Sequence, residues 1–526
     1  MKVLLASNIH PAAVEYLNKS VDEVVEAPGV SNEELIELIS DADAVMIRSK
    51  PKLTKEILEH GKNLKVIGRA GVGVDNIDVE YATKKGIIVV NAPEASTTTV
   101  AEHTFGMVLA LARKIPQGVA NVKSGRWDKK KFMGTELQGK TIGIVGMGRI
   151  GSRVGEFAKA FKTDIIAYDP YVTEELAEKK GFKLVEMDEL LSDSDIITLH
   201  MPRTDKTADM INSDAFKKMK STAFLINCSR GGIVDENALY LALKNGEIAG
   251  AALDVFTAEP PGETPLLALD NFISTPHLGA STQEAQVNAS LTTAEDILSV
   301  LENKSPKNPV NMTSFDPEVL NALNPYIRLC EKLGNFAIQL IDGRLSELSV
   351  VFCGSLAGSK GLDILLSTVL RSVLSPILMS TINIVNADLV AKDRGIKVVQ
   401  GEREDSEDHD ALVILKAKTD EDELEIKATV LGGIHPRIIG IDDYEMDITP
   451  EGNILIVKHE DKPGIIGNLA TTLGHHDINI GSMQVGRKKK GDAQVMAVNI
   501  DQIIEEETLT SLSLVDGVKT VKFTKN

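Results

Sequence analysis

Cysteine is scarce in this chain: three in 526 residues (Cys228, Cys330 and Cys353), far apart and in no C-x-x-C pair. That excludes a disulfide framework and a cysteine-built metal site, and isolated thiols suit a reducing, cytoplasmic setting. No metal is expected. Aromatic residues make up only 4%, with a single tryptophan, Trp127, so a core must be built mainly from aliphatic side chains. Long apolar runs are missing, and no stretch approaches the roughly 20 residues of a membrane span. The opening run, MKVLLASNIHP, is too short for a signal peptide and reads as a first strand. Positive charge is in deficit, 57 Lys and Arg against 76 Asp and Glu, for a net charge of −19. Non-specific nucleic-acid binding and an anionic membrane surface are therefore disfavoured as partners. Small anions, which respond to local charge, are not.

The length allows three or four domains. From Met1 to Pro93, apolar runs (KVLLAS, DEVVEA, ADAVMIRS, LKVIGRAG, IIVVNAP) alternate with helical patterns, which predicts a parallel α/β sheet. A long apolar helix follows over VAEHTFGMVLALAR. Then comes a basic stretch, Ser124 to Met133, holding Arg126, Trp127, Lys129, Lys130 and Lys131. It reads as a solvated loop or as an anion contact.

A second alternating series runs from Lys140 to about Thr282 and opens with TIGIVGMGRIG. Gly146, Gly148 and Gly151 carry the G-x-G-x-x-G spacing between a strand and a helix. The first glycine turns the chain, the second admits a pyrophosphate, and the third lets helix and strand pack closely. The helix N-terminus then offers unpaired N–H groups to the phosphates. The next strand, DIIAYDP, ends in Asp169. A carboxylate there accepts ribose hydroxyls and repels a 2′-phosphate, so NAD is expected in preference to NADP. The earlier GRAGVGVD run lacks the third glycine. It is either a tight turn or a place where a substrate anion meets backbone amides.

Ligands of such sheets sit outside the carboxyl ends of the strands. Asp169 ends one strand, and Cys228, Ser229 and Arg230 end another. Asp254 ends a third and is followed by Glu259. His277 ends a fourth. Oxidising an alcohol with NAD requires the movement of one proton, and His277 is the candidate base. Glu259 would fix its tautomer and steady the imidazolium. Arg230 can grip a carboxylate with two parallel hydrogen bonds. Each alone has an ordinary structural explanation; together they match the pattern of a site.

These motifs, G-M-G-R-I-G, N-C-S-R-G-G, A-E-P and P-H-L-G-A-S-T, resemble the D-isomer-specific 2-hydroxyacid dehydrogenases. The resemblance implies a Rossmann-type dinucleotide domain (98–282) inserted in a flavodoxin-like substrate-binding domain (1–97 and 283–308). It implies Arg230 as carboxylate anchor, Glu259 as partner and His277 as acid/base. It implies NAD contacts from Gly146, Gly148, Arg149, Ile150, Gly151, Asp169, Cys228 to Arg230, Asp254, and the turn His277, Leu278, Gly279 and Ala280. Further matching runs, including G-R-A-G-V-G-V-D-N-I-D and N-A-P-E-A-S-T-T-T-V-A-E-H, point to the family's long branch. That branch oxidises 3-phosphoglycerate with NAD at the start of phosphorylated serine synthesis. A substrate phosphate then needs its own cations. Arg48 and Ser49 end one strand of the first sheet, and Arg69 and Gly71 follow another; these, with Arg230 and His277, are the expected substrate contacts. The basic stretch near Trp127 adds charge, on this reading from a neighbouring subunit of a homo-oligomer, a dimer or tetramer.

Ser305 to Asn311 reads as a linker. Beyond it, residues 309–449 give an α+β pattern without a catalytic constellation, including helices over Gly361 to Leu374 and Pro376 to Lys392. The resemblance here is to an intervening domain of regulatory or assembly type. The Gly432-Gly433-x-His435-x-Arg437 segment is a hairpin turn or an anion contact. From residue 453 to 526 the order is β-α-β-β-α-β, the ferredoxin-like arrangement. H-E-D-K-P-G-I-I-G followed by D-I-N-I resembles an ACT domain, an amino-acid-binding module. That implies His459, Asp461 and Asn479 as effector residues and L-serine as effector by pathway logic. Two other readings remain open: a dehydrogenase for another D-2-hydroxy acid, and an NAD-sensing binding protein of the same fold.

Overall fold

A computed structural model of the chain describes residues 1–313, 317–378, 382–487 and 493–525. Four sheets organise it. The first contains β1 (Lys2–Leu5), β2 (Glu23–Glu26), β3 (Ala44–Ile47), β4 (Val66–Arg69) and β5 (Ile88–Asn91). All its pairings are parallel. The spatial order is β2-β1-β3-β4-β5, the flavodoxin-like order. Its central strands β3 and β4 are buried except at Arg69, as suits a sheet covered on both faces.

The second sheet contains β6 (Thr141–Val145), β7 (Asp164–Tyr168), β8 (Lys183–Leu184), β9 (Ile196–Leu199), β10 (Phe224–Asn227), β11 (Gly250–Leu253) and β12 (Phe272–Ser274). Its order is β12-β11-β10-β9-β6-β7-β8, again parallel. The direction of winding reverses between β6 and β9, which is where a doubly wound sheet opens its ligand crevice.

Helix Gln283–Leu301 leaves the second sheet and packs on the first, burying Ala294, Ile297, Val300 and Leu301 with Val3, Leu5, Met46 and Val66. Gly68 of β4 permits that approach, since a Cβ there would stand 2.5 Å from Ile297 Cδ1. The segment expected as a linker is stitched down instead. Asp296, only 1% exposed, accepts from Lys307 N–H at 2.7 Å and from Asn308 Nδ2 at 2.8 Å. Val310 N–H donates to Val89 C=O, and Asn311 holds Val89 N–H and Ile87 C=O. A buried carboxylate needs such donors, and they fix the segment as an edge of the first sheet.

The third sheet, β13 (Leu345–Gly354), β14 (Lys397–Arg403), β15 (Ala411–Thr419), β16 (Glu423–Leu431), β17 (His435–Ile441) and β18 (Tyr444–Ile448), carries helices Pro317–Leu340 and Leu362–Leu374. The helix expected over Pro376 to Lys392 is shorter. Only Ala387–Asp393 is α-helical, after a 3₁₀ turn at Ser375–Ile377, and residues 379–381 lie outside the described set. Asn383 Oδ1 accepts from Val385 and Asn386 N–H, and Asn386 Oδ1 from Asn383 N–H. These local side-chain bonds displace the helical ladder.

The fourth sheet, β19 (Asn453–His459), β20 (Ile480–Arg487), β21 (Gln494–Ile500) and β22 (Val518–Lys525), has the order β20-β21-β19-β22 and two helices, Ile465–His475 and Glu506–Ser513. This is the ferredoxin-like arrangement. One face buries its own helices; the other, with Ile454, Ile456, Val495 and Ala497, joins the core of the third unit. Among the described residues no helix is long and apolar enough to cross a membrane, and no side-chain cluster could hold a metal ion.

Candidate active site

The strand β6, the turn and helix Arg149–Ala160 form the dinucleotide cradle. Gly146 has φ +97°, and a Cβ there would lie 2.6 Å from His200 C=O; one on Gly151 would lie 2.0 Å from Gly146 C=O. Side chains are thus excluded at both positions. Gly148, the N-cap, faces open space within 4 Å. This is the space a pyrophosphate would fill, so the residues present fit a dinucleotide. Asp169 closes the turn: its Oδ2 accepts from Met147 N–H at 2.8 Å and its Oδ1 from Tyr171 N–H at 2.9 Å. Ile150 is half-buried behind the loop. Arg149 extends toward the first sheet's loops, its Nε 3.4 Å from Glu94 Oε1. Both side chains are more than half exposed. Such a pair is worth about 0–1 kcal/mol and leaves Arg149 available to an incoming phosphate.

At the far strand ends, His277 and Glu259 meet: Nδ1 to Oε2 is 2.7 Å. Glu259 is braced by Phe256 N–H, which donates to Oε1 at 3.2 Å. His277 has φ +54°, a left-handed backbone unusual for a side chain of this size. Its N–H donates to Asp254 C=O at 2.9 Å. With Nδ1 engaged by Glu259, the imidazole turns Nε2 outward on a ring that is half exposed.

Asp254 is 1% exposed and organises the turn after His277. Its carboxylate accepts from Leu278 N–H at 2.7 Å, Gly279 N–H at 2.8 Å and Thr275 Oγ1 at 2.5 Å. Burial pushes its pKa up, but these donors, with His103 Nε2 at 3.3 Å, outweigh it and hold the group below the usual carboxylate range. Ala280 lies exposed beyond. Four sequence-expected residues thus share one turn, and two unexpected ones, His103 and Thr275, lock it. His103 Nε2 also meets Thr275 Oγ1 at 3.1 Å.

The N-C-S-R-G-G turn is built on buried Asn227, another residue that sequence reasoning passed over. Asn227 Oδ1 accepts from Ser229 N–H and Oγ, and its Nδ2 donates to Arg230 C=O. Cys228 is buried, as an isolated thiol is expected to be. Its side chain is 6% exposed and packs in the core, and burial pushes the thiol up to about 12. Only its backbone is left for a cofactor. Gly231 allows the turn to touch the Glu259 loop, since a Cβ there would lie 1.9 Å from Phe256 C=O.

Arg230 Nε lies 3.5 Å from Asp75 Oδ2, which belongs to the loop after β4. In the folded cleft the GRAGVGVD glycines lie against guanidinium groups, which their pattern alone did not show. A Cβ on Gly71 would lie 1.7 Å from Arg69 Nη1, and one on Gly73 would lie 2.1 Å from Arg230 Nη2. Burial, with Arg230 and Arg48 nearby and only Asp75 opposing, pushes Arg69 down to about 10. Its Nε is buried without a hydrogen-bond partner. Arg48 and Ser49 follow β3 beside it, with Arg48 N–H held by Ser7 Oγ. Three arginines crowding one cleft, one with an unsatisfied donor, form a site that an anion would complete.

Residues 105–279 match the NAD binding domain of the D-isomer specific 2-hydroxyacid dehydrogenases. Residues 322–442 match the D-3-phosphoglycerate dehydrogenase intervening domain, and 453–513 the ACT domain. The chain is 47% identical over 522 residues to D-3-phosphoglycerate dehydrogenase of Methanocaldococcus jannaschii, covering 99% of each. It is 39% identical to that of Bacillus subtilis, covering 91% of each. This chain belongs to the D-3-phosphoglycerate dehydrogenase family. A solved D-lactate dehydrogenase from Aquifex aeolicus, complexed with NAD and lactic acid, aligns with 60% of this chain and 100% of its own (TM-score 0.53, 31% identity).

Of the expected effector residues, Asp461 lines a cavity of about 460 Å³ with Pro463, Gly464, Val485, Arg487 and Gln494. Asp461 is ion-paired with Arg487. His459 is buried beneath, Nδ1 held by Glu460 C=O and Nε2 without a partner. Asn479 is turned to Asp501 and Gln502. The Gly432–Gly433 segment is a turn between β16 and β17, and Arg437 is directed to Thr449 and Asp447.

Proposed function

We propose that this chain oxidises 3-phospho-D-glycerate to 3-phosphohydroxypyruvate with NAD, opening phosphorylated L-serine synthesis. The observation that carries the reading is the arginine cluster of Arg48, Arg69 and Arg230, whose Arg230 turn touches, at Gly231, the loop that carries Glu259. A substrate with two anionic ends needs more than one such cation. Arg230 takes the carboxylate, and Arg69 and Arg48 take the phosphate. Glu259 accepts a hydrogen bond from Nδ1–H, so Nε2 of His277 carries the lone pair that faces the substrate. Nε2 removes the C2 hydroxyl proton and Glu259 stabilises the resulting imidazolium. NAD, when bound, accepts the C2 hydride. Asp254 holds the His277 turn in register, and the glycine loop with Asp169 positions the dinucleotide. The test compares NADH formation from 3-phosphoglycerate and from D-glycerate. A kcat/KM ratio of at least about 100, the worth of roughly 2.7 kcal/mol of phosphate contacts, is expected; equal turnover would assign the chain another D-2-hydroxy acid.

The same reading makes the chain a cytoplasmic homo-oligomer. Helix Ile115–Lys123 exposes Ile115, Val119 and Val122 by about half, and Trp127 and Met133 by 81% and 80%. An apolar surface of this extent suits a second copy, which brings its Arg126 to Lys131 stretch to the neighbouring cleft. L-Serine acts at the ACT cavity, where Asp461 would hold its amino group. Inhibition by serine that is lost in Asp461→Ala supports this; inhibition unchanged by the substitution contradicts it.

A further inference from the structure

The catalytic cleft lies at the carboxyl ends of β3, β4 and β5. The opposite ends of these strands face the third unit and border a cavity of about 960 Å³. Its walls come from both units. The first supplies the loop before β4, the turn between helix Val79–Lys84 and β5, and the end of helix Gln283–Leu301. The third supplies faces of helices Pro317–Leu340, Leu362–Leu374 and Ala387–Asp393. A latch joins the two at the rim. Asn383 Nδ2 donates to Gly86 C=O at 2.5 Å, and Asn386 Nδ2 donates to Lys84 C=O at 3.5 Å. Gly86 has φ +74°, and a Cβ on it would stand 2.9 Å from Asn383 Nδ2, so glycine serves both the turn and the latch.

The cavity is cationic in an acidic protein. Lys62, Lys65, Lys84, Lys85, Lys304 and Arg371 line it, against the carboxylates Asp43 and Glu59. Four of these cations have carboxylate partners: Lys65 with Asp43, Lys84 with Glu80, Lys304 with Glu302, and Arg371 with Glu331. Lys84 and Lys304 also follow or end helices, where cations complement the helix dipole. Lys85 caps helix Val79–Lys84, meets the same dipole and lies over the Tyr81 ring, 5.9 Å from its centre, but neither it nor Lys62 is paired with a carboxylate among the described residues. These two come from different elements onto one cavity. Between the cations the wall is aliphatic, with Ile87, Val300, Ile327, Ile364 and Ile384.

We propose that this cavity binds an organic polyanion with an apolar body, of the size and chemistry of a nucleotide phosphate. The unpartnered lysines meet the negative groups and the aliphatic wall meets the body. The site is separate from the cleft, at the other edge of the same sheet. Its ligand bridges two units, so it binds only when they are docked and its binding free energy adds to the Asn383 latch.

The test is calorimetric titration of the full chain with ATP and with tripolyphosphate. Saturating NADH and 3-phosphoglycerate are present, so that the catalytic cleft is filled. One ATP per chain is expected, bound at least about tenfold more tightly than tripolyphosphate because of the aliphatic wall. Lys62→Glu with Lys85→Glu is expected to weaken ATP binding at least about tenfold while kcat and KM without ATP stay unchanged. Lys62→Gln alone, at an exposed position, gives a smaller loss in the same direction. Absence of ATP binding, binding undiminished in the double variant, or tripolyphosphate bound as tightly as ATP each overturns the proposal.

Discussion

His277 Nδ1 lies 2.7 Å from Glu259 Oε2, and the histidine holds this position on a left-handed backbone at φ +54°. A pair this close fixes which ring nitrogen is free. Replacing His277 by Ala removes the base and should lower kcat by about 10²–10⁴. Glu259→Gln keeps the shape but loses the carboxylate, so it should lower kcat by a smaller factor and shift the pH–rate profile. NAD affinity, read by fluorescence titration, should change less than threefold or so in either variant, since neither side chain builds the dinucleotide cradle. Loss of NAD binding in His277→Ala would mean that its role is misassigned.

Arg69 should govern phosphate recognition. Its guanidinium is largely buried, unsatisfied at Nε and crowded by Arg230 and Arg48. Arg69→Ala is expected to raise KM for 3-phosphoglycerate by at least about tenfold, the worth of one charge-assisted contact. Turnover of D-glycerate should change far less. Arg48→Ala should act in the same direction. Equal losses on both substrates would place these arginines in folding and not in phosphate binding.

Asp169 should decide between the two nicotinamide dinucleotides. Its carboxylate is held by Met147 and Tyr171 N–H groups at the mouth of the glycine loop. Asp169→Ala is expected to weaken NAD binding by about tenfold and to narrow the gap with NADP, because the charge that repels a 2′-phosphate is gone. Binding isotherms for both dinucleotides check this. An unchanged preference would show that selectivity lies elsewhere.

His200 should make the fold acid-sensitive. Burial pushes its pKa down to about 3, while an unfolded histidine titrates near 6.5. Between these values the unfolded chain binds the extra proton, so stability falls as pH falls from about 6.5 toward about 3. At pH 5 the contribution is on the order of 2 kcal/mol. Urea unfolding at pH 7 and pH 5 should show a smaller decline for His200→Gln than for the unaltered chain. Equal declines would remove His200 as the cause.

Local patterns carried much of the fold and the site. The G-x-G-x-x-G loop, Asp169 and the strand-end residues are contiguous motifs, and apolar alternation located the strands. What was not legible depends on packing between distant segments. Gly71 and Gly73 lie against the guanidinium groups of Arg69 and Arg230, which only the folded cleft reveals. His103 reaches Asp254 and Thr275 from a helix that reads simply as apolar. Ser305 to Asn311 looks like a linker because Asp296, which ties it down, sits a full helix turn or more earlier in the chain.

The central claim is that the His277–Glu259 pair and the arginine cluster together act on a phosphorylated 2-hydroxy acid with NAD. The most direct measurement is NADH formation by the full chain from 3-phosphoglycerate, with the keto product trapped, run beside His277→Ala at matched NAD occupancy. The account predicts steady NADH production by the unaltered chain and a rate at least about a hundredfold lower in the variant. No NADH from 3-phosphoglycerate at full NAD occupancy, or an unimpaired variant, would contradict it.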